Sequence, residues 1–223
     1  MAEVGLYEAM STLRAVRRLR PDPIPRAVLH RVLEAATWAP TGGNTQPWRV
    51  VVVEESSTMA ALGDLYRTAW YAYANHHKKL VAQAPEAVQR STEKMLGAGN
   101  HLADHFDHTP ALLIFCFNPN NMAITDRDQP RVSVVGGASI YTAVENTLLA
   151  CRAEGLGCVL TTLLCQHETE VRSLLSIPED WGTAAAVPIG YPLLGGHGPI
   201  TRRPIEKLGF QDRWGEPIQF PNE

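Results

Sequence analysis

The chain has 223 residues, of which 45% are hydrophobic, and a formal net charge of −3 at pH 7. A charge this small gives no electrostatic reason to expect a nucleic acid or an anionic membrane surface as a partner. No apolar run reaches the roughly 18 residues of a membrane span, and at this length we expect a single domain over residues 1–223.

The hydrophobic pattern predicts helices and strands in an α+β order. The helices are predicted at about residues 6–18, 25–38, 58–74, 85–107, 134–154 and 168–175. The strands are predicted at about residues 48–53, 111–117, 159–163 and 184–190. Residues 118–129 include Pro119 and three asparagines, a composition typical of a mobile loop.

The first candidate site is the basic segment Leu13-Arg14-Ala15-Val16-Arg17-Arg18. In the predicted helix, Arg14 and Arg17 are three residues apart and share one face. Planar guanidinium groups pair with phosphate oxygens through charge-assisted hydrogen bonds, so a phosphate would fit there. The alternative is a solvated basic helix end, since Pro21 stops the helix soon afterwards.

The second candidate site is the run Ala39-Pro40-Thr41-Gly42-Gly43-Asn44-Thr45-Gln46-Pro47-Trp48, which follows an amphipathic helix. Its glycines allow a close backbone approach, and Thr41, Asn44, Thr45 and Gln46 supply hydrogen-bond donors and acceptors. A plain turn between a helix and a strand is the alternative. Together, the two segments suggest an anion clamp and a flat polar cradle for a phosphorylated planar cofactor.

The cysteines and histidines form no metal or redox motif. No C-x-x-C or H-E-x-x-H string occurs, so we predict no metal. The cysteines have aliphatic neighbours, and we expect core thiols at Cys116, Cys151, Cys158 and Cys165. The N-terminus carries Glu3 and Glu8 and not a basic, apolar leader, so we expect a cytoplasmic protein.

Both candidate sites, and residues 155–164 and 188–204, resemble the FMN-dependent nitroreductase family, so the likeness covers most of the chain. The run that leads through Pro47-Trp48 into a valine-rich strand is very similar to the hallmark of the family. The resemblance implies an α+β fold with a central, mostly antiparallel sheet flanked by helices. It also implies an intertwined homodimer with an extended C-terminal arm, in which the two subunits share each FMN.

The resemblance also assigns roles to individual residues. Arg14 would hold the FMN phosphate or ribityl chain, Arg17 would lie near the pyrimidine edge, and a returning Arg202, or else Arg203, would supply a second phosphate contact. The usual Arg-Arg-Ser-x-Arg reads Leu13-Arg14-Ala15-Val16-Arg17 here, so one guanidinium and one hydroxyl are missing and the phosphate contacts depend more on other residues. The remaining expected cofactor-binding residues are Ala15, Thr41, Gly42, Asn44, Gln46, Leu160, Thr161, Thr162 and Leu163, with an N–H of Thr162 or Leu163 donating to flavin N5.

The implied activity is that of an FMN-dependent NAD(P)H oxidoreductase. It would take hydride from NADH or NADPH onto flavin N5 and then reduce a small-molecule acceptor, a nitroaromatic or a quinone, in a ping-pong cycle. We expect no catalytic acid or base from the protein in the first half of that cycle. Two alternatives are a specialised branch of the family, such as flavin fragmentation or reductive dehalogenation, and a flavin-sequestering protein without turnover. The aromatic residues Tyr66, Trp70, Tyr71 and Tyr73 either shape the acceptor pocket or pack ordinarily.

Overall fold

The computed structural model describes residues 4–220, so Glu3 and the last three residues of the C-terminal tail lie outside it. The helices α1 to α6 are Leu6–Thr12, Arg26–Thr37, Ser56–Val81, Glu86–Asp104, Tyr141–Ala153 and Glu168–Leu175. The strands β1 to β4 are Trp48–Val53, Ala111–Phe117, Gly157–Cys158 and Gly182–Gly190. The predicted α+β class is confirmed.

The four strands form one antiparallel sheet in the order β1-β2-β4-β3. Strands β2 and β4 lie at its centre and are almost completely buried. Because successive side chains of a strand point to opposite faces, β2 supplies both layers of the core. Leu112, Ile114 and Cys116 pack with α3, α4 and α6, whereas Ala111, Leu113 and Phe115 pack with α2 and α5.

The first helix is shorter than predicted, and this changes the geometry of the arginine segment. Helix α1 ends at Thr12, not at Arg18. The residues that follow are extended because their backbones bond to distant parts of the chain: Val16 N–H donates to the Cys158 carbonyl of β3 over 2.9 Å, and Arg20 N–H to the Tyr191 carbonyl, just after β4, over 2.8 Å. The prediction that Arg14 and Arg17 share a helical face is therefore wrong.

The strand predicted at residues 159–163 is also displaced. Strand β3 is limited to Gly157–Cys158, beyond which only Thr161 pairs with β4, through Ala186. A 3₁₀ turn begins at Leu163 and ends the extended course. The preceding helix ends as predicted, with Gly155 in the left-handed region at φ 74°.

Two of the four clustered aromatic residues belong to the core. Tyr66 stacks on Phe106 with ring centroids 4.6 Å apart, and Trp70 Nε1 donates to Asn100 Oδ1 over 2.8 Å. Both rings are buried, whereas Tyr71 and Tyr73 are exposed. Of the two alternatives for this cluster, ordinary core packing therefore explains Tyr66 and Trp70.

Three of the four cysteines are core thiols, as predicted. Cys116, Cys151 and Cys158 are buried, and Cys165 is half-buried. Among residues 4–220, no three His, Cys, Asp or Glu side chains are grouped so as to hold a metal ion. Within the same range, each helix is too short or too polar to cross a membrane.

Candidate functional site

The arginine segment lies between β3 and the chain that follows β4. Gly157 permits this approach, because a Cβ at that position would lie 2.6 Å from Cγ1 of Val16. On the other side, Leu193 N–H donates to the Arg18 carbonyl over 2.9 Å, and Leu19 pairs with Pro192. The C-terminal part of the chain is thereby brought alongside Arg14 and Arg17.

A cavity of about 430 Å³ opens at this junction. Five of the predicted cofactor-binding residues line it, namely Arg14, Ala15, Arg17, Leu160 and Arg202. Apolar side chains, including Leu13, Leu148, Val159 and Ile200, form much of the remaining wall. Three arginines, two from the segment after α1 and one from the C-terminal part of the chain, therefore line one partly apolar space.

Of Arg202 and Arg203, the structure brings only Arg202 to the cavity. Both arginines are exposed, but Arg203 is not among the lining residues. Successive side chains of an extended chain point in opposite directions, which separates these two neighbours.

Arg14 is fixed by the loop after β4. Its Nε donates to the Gly196 carbonyl over 2.8 Å, and its backbone N–H lies 3.4 Å from Nδ1 of His197. Gly195 and Gly196 have φ values of 65° and 63°, in the left-handed region that favours glycine. The loop thus orients the guanidinium of Arg14 through the Gly196 carbonyl.

The polar cradle is a strained turn. Asn44 and Gln46 have φ values of 54° and 46°, which are uncommon for residues other than glycine and concentrate at functional sites. The turn is held internally, with Gln46 N–H donating to Thr41 Oγ1 over 3.1 Å and the Gln46 side-chain amide donating to Asn44 Oδ1 over 3.2 Å. Its polar groups are held in place and exposed.

Within one chain, the cradle lies against the start of α5 and does not line the arginine cavity. Gly42 N–H donates to the Ser139 hydroxyl over 3.0 Å, and the Thr142 hydroxyl donates to the Pro40 carbonyl over 3.2 Å. The structure therefore brings the predicted arginines together but leaves Thr41, Gly42, Asn44 and Gln46 as a separate group.

Residues 160–163 lie between two cavities. Leu160 lines the arginine cavity, whereas Thr162 lines a second cavity of about 570 Å³. The backbone of Thr161 is paired with Ala186, and Leu163 N–H donates to the Thr161 hydroxyl over 3.3 Å. Of the two predicted backbone donors, Leu163 is already engaged within the chain.

The loop after β2 lines part of the second cavity, through Met122, Ile124, Ser133 and Val134. Buried Asp126 organises this loop by accepting from the guanidinium of Arg131 over 2.6 Å and from the Ser133 hydroxyl over 2.6 Å. These contacts, with that of Ser133 the largest, lower the pKa of Asp126. The loop after β2, which includes the predicted loop at residues 118–129, is thus held by hydrogen bonds to the ionised Asp126 carboxylate.

Sequence reasoning missed three residues around these sites. Glu145 of α5 lines the arginine cavity, Ser139 holds the cradle, and His197 contacts Arg14. Of the three, only Ser139 had a local signal, since it closes a run of small residues, 136–139, just before α5.

A nitroreductase family model matches residues 12–191, and the chain belongs to the nitroreductase family. It is 32% identical over 200 residues to an NADH dehydrogenase of Thermus thermophilus, covering 87% of this chain and 90% of that protein. It is 29% identical over 208 residues to 5,6-dimethylbenzimidazole synthase of Rhodobacter capsulatus, covering 93% and 91%. The crystal structure of a nitroreductase with bound FMN from Desulfitobacterium hafniense has the same fold, with a TM-score of 0.65, 17% identity and coverage of 93% and 98%. The expected α+β nitroreductase fold and the family are thereby confirmed, and the protein is an oxidoreductase of this family. The homodimer and its C-terminal arm stay predictions.

Proposed function

We propose that the protein is a homodimeric FMN-dependent oxidoreductase that takes hydride from NADH or NADPH and reduces a small electron-poor acceptor, a nitroaromatic or a quinone. The observation that carries this proposal is the convergence of Arg14, Arg17 and Arg202 on one cavity. The relative named NADH dehydrogenase and the neighbour that holds FMN support the donor and the cofactor.

The donor set fits a flavin mononucleotide. A phosphate monoester carries up to two negative charges and needs several donors, and guanidinium forks satisfy its oxygens with fixed geometry. Arg202 supplies a charge that partly offsets the arginine missing at Leu13. The apolar wall formed by Leu148, Val159 and Ile200 suits the less polar part of the ligand.

A second copy of the chain completes the site in this proposal. Thr41, Gly42, Asn44 and Gln46 present exposed or half-exposed polar groups outside the arginine cavity of their own chain. Supplied by the partner, the same groups would face the flavin edge, as the family resemblance implies. The C-terminal arm would cover the partner, because Trp214 is 92% exposed within one chain and contacts Phe210 with ring centroids 4.9 Å apart.

The residues of this chain bind and orient in the proposed mechanism. FMN, when bound, supplies the hydride chemistry at its N5 atom. Arg14 and Arg202 would hold the phosphate end, and Arg17 would lie near the pyrimidine edge. The backbone N–H of Thr162 would donate to the ring, since Leu163 N–H already donates to the Thr161 hydroxyl. Glu145 would repel an anion at the edge of the cavity and so confine the phosphate to the arginine side.

Anaerobic mixing tests the proposal. FMN-loaded protein should lose its absorption near 450 nm on addition of NADH or NADPH, and regain it when a quinone or a nitroaromatic is added. A colour that persists with both donors would contradict an enzyme and support flavin sequestration.

A specialised branch is the second candidate, because a 29% identical relative is 5,6-dimethylbenzimidazole synthase. Mass spectrometry of the flavin after aerobic turnover distinguishes the oxidoreductase from this specialised branch. Intact FMN supports the oxidoreductase, whereas flavin that is consumed and replaced by a fragment supports the synthase branch.

A further inference from the structure

The side chain of His197, in the loop after β4, contacts two other parts of the chain, at Leu156 and at the backbone of Arg14. Its Nε2 lies 2.8 Å from the carbonyl oxygen of Leu156, and a carbonyl oxygen can only accept. Nε2 therefore carries the proton of the neutral ring, and Nδ1 is left as the acceptor. The backbone N–H of Arg14 points at that Nδ1 over 3.4 Å, at the long end of the hydrogen-bonding range.

The same loop contacts the arginine segment on both sides of His197. The Gly196 carbonyl accepts from Nε of Arg14 over 2.8 Å, and Gly198 N–H donates to the Thr12 carbonyl over 2.9 Å. A movement of the His197 ring would therefore be transmitted directly to the Arg14 guanidinium.

Protonation of His197 would oppose this arrangement in two ways. A proton on Nδ1 would face the Arg14 N–H, so that two donors meet without an acceptor. It would also place a positive charge near Arg14 and near Arg152 of α5. Arg152 is itself paired with Glu8 of α1 over 3.2 Å, and that carboxylate offsets part of the repulsion from Arg152.

The surroundings keep His197 neutral near pH 7. Burial of the ring is the largest cause of its lowered pKa, and the charges of Arg152 and Arg14 lower the pKa further. The hydrogen bond to Leu156 acts in the opposite direction.

We infer that neutral His197 is a positioning residue that holds Arg14 in its phosphate-binding geometry, and that its protonation weakens the retention of FMN. The inference rests on the proposed function, since it takes a phosphorylated ligand in the arginine cavity. It adds an acid-sensitive release step to a contact that otherwise depends only on permanently charged arginines.

The test is the dissociation constant of FMN, measured by fluorescence titration of the full chain at about pH 8 and about pH 5.5. His197→Asn keeps an acceptor for the Arg14 N–H but does not titrate. His197→Phe fills the space without an acceptor. Far-UV circular dichroism and thermal melts of the ligand-free variants report whether each one folds. If one of them does not fold, His197→Gln, which keeps a donor toward the Leu156 carbonyl, is used in its place.

We expect wild-type protein to lose affinity on acidification, by up to tenfold for each pH unit that the solution lies below the pKa of His197. His197→Asn should bind nearly as tightly as wild type at about pH 8 and lose less affinity than wild type on acidification. His197→Phe should bind about three- to tenfold more weakly at about pH 8. The phosphate of FMN titrates equally in all titrations, so the comparison between variants at one pH isolates His197.

Two results would overturn the inference. One is a pH dependence of His197→Asn equal to that of wild type, and the other is wild-type affinity of His197→Phe at about pH 8. A wild-type protein that binds no FMN at either pH would instead contradict the proposed function, so the two failures are distinguishable.

Discussion

The guanidinium of Arg14 and the carbonyl of Gly196 are 2.8 Å apart in space and 182 residues apart in sequence. This hydrogen bond forms only when the chain after β4 folds back along the segment that follows α1. The arginine cavity is therefore a product of the tertiary fold, and its charges depend on a contact between the two ends of the chain.

Removal of single arginines tests the phosphate contact. Arg14→Ala and Arg202→Ala should each weaken FMN binding by about 10- to 100-fold, since a hydrogen bond to a charged group contributes about 1.5–3 kcal/mol. Fluorescence titration of the ligand-free proteins measures the change. Arg203→Ala is the matched control, because Arg203 is exposed and does not line the cavity.

Equal losses at Arg202 and Arg203 would show that the effect comes from general surface charge. A high-salt series adds a second check. A surface-charge effect would fade with ionic strength equally for Arg202→Ala and Arg203→Ala, whereas a direct contact would leave a larger loss for Arg202→Ala at each salt concentration.

Three of the four strands and the family could be predicted from the sequence because their signals are local, whereas β3 was displaced. Strands β1 and β2 begin and end where the apolar runs indicate, and the glycine and asparagine residues after α2 mark the cradle. The buried face of α2 follows its helical period through Leu29, Val32 and Ala36.

The course of the arginine segment could not be predicted in the same way. Its local pattern favours a helix, but Val16 and Arg20 have backbone partners in β3 and after β4, which a local pattern does not reveal. The choice of Arg202 over Arg203 also depends on which side of an extended chain faces the cavity. The contact of His197 with Arg14 follows from the same long-range pairing.

Subunit mixing tests whether two chains share each flavin. Arg14→Ala and Asn44→Ala should each weaken FMN binding when pure. After the two variants are unfolded together and refolded in equal amounts, roughly one quarter of the sites should have both native residues if the site is shared. Stoichiometric FMN titration counts the restored sites.

The double variant Arg14→Ala/Asn44→Ala, refolded with itself, is the control and should recover no sites. If mixing also restores none while size-exclusion chromatography shows dimers, the arginines and the cradle act within one chain and the shared site is wrong. If the chain elutes as a monomer yet binds FMN, the dimer itself is wrong.

Thiol reactivity should follow burial and pKa. Burial, followed by the charge of Glu168, raises the pKa of Cys116 to about 11, and the side chain is 2% exposed. At about pH 8 only about one thiol in a thousand would then be ionised. Cys165 is half-buried and lines the second cavity, although burial also raises its pKa.

Brief alkylation with iodoacetamide at about pH 8, followed by mass spectrometry of peptides, should therefore label Cys165 before Cys116. Labelling at both positions should rise with pH, because the thiolate fraction increases until pH passes the raised pKa. Protein unfolded in guanidinium chloride is the control and should react at all four cysteines. Native Cys116 that reacts as fast as Cys165 would contradict the buried placement of β2.

The contact between Trp70 and Gly99 predicts opposite effects for two glycines of the same helix. A Cβ on Gly99 would overlap the Trp70 ring, which is buried and held by Asn100. Gly99→Ala should lower the free energy of unfolding by about 1–3 kcal/mol through overpacking.

Gly97 has no heavy atom within 4 Å of its Cβ position and is exposed. Gly97→Ala should therefore raise the free energy of unfolding by about 0.5–1 kcal/mol, because alanine favours the helix. Urea unfolding at one protein concentration measures both changes, and a Gly99→Ala protein as stable as Gly97→Ala would show that α3 and α4 do not pack through Trp70.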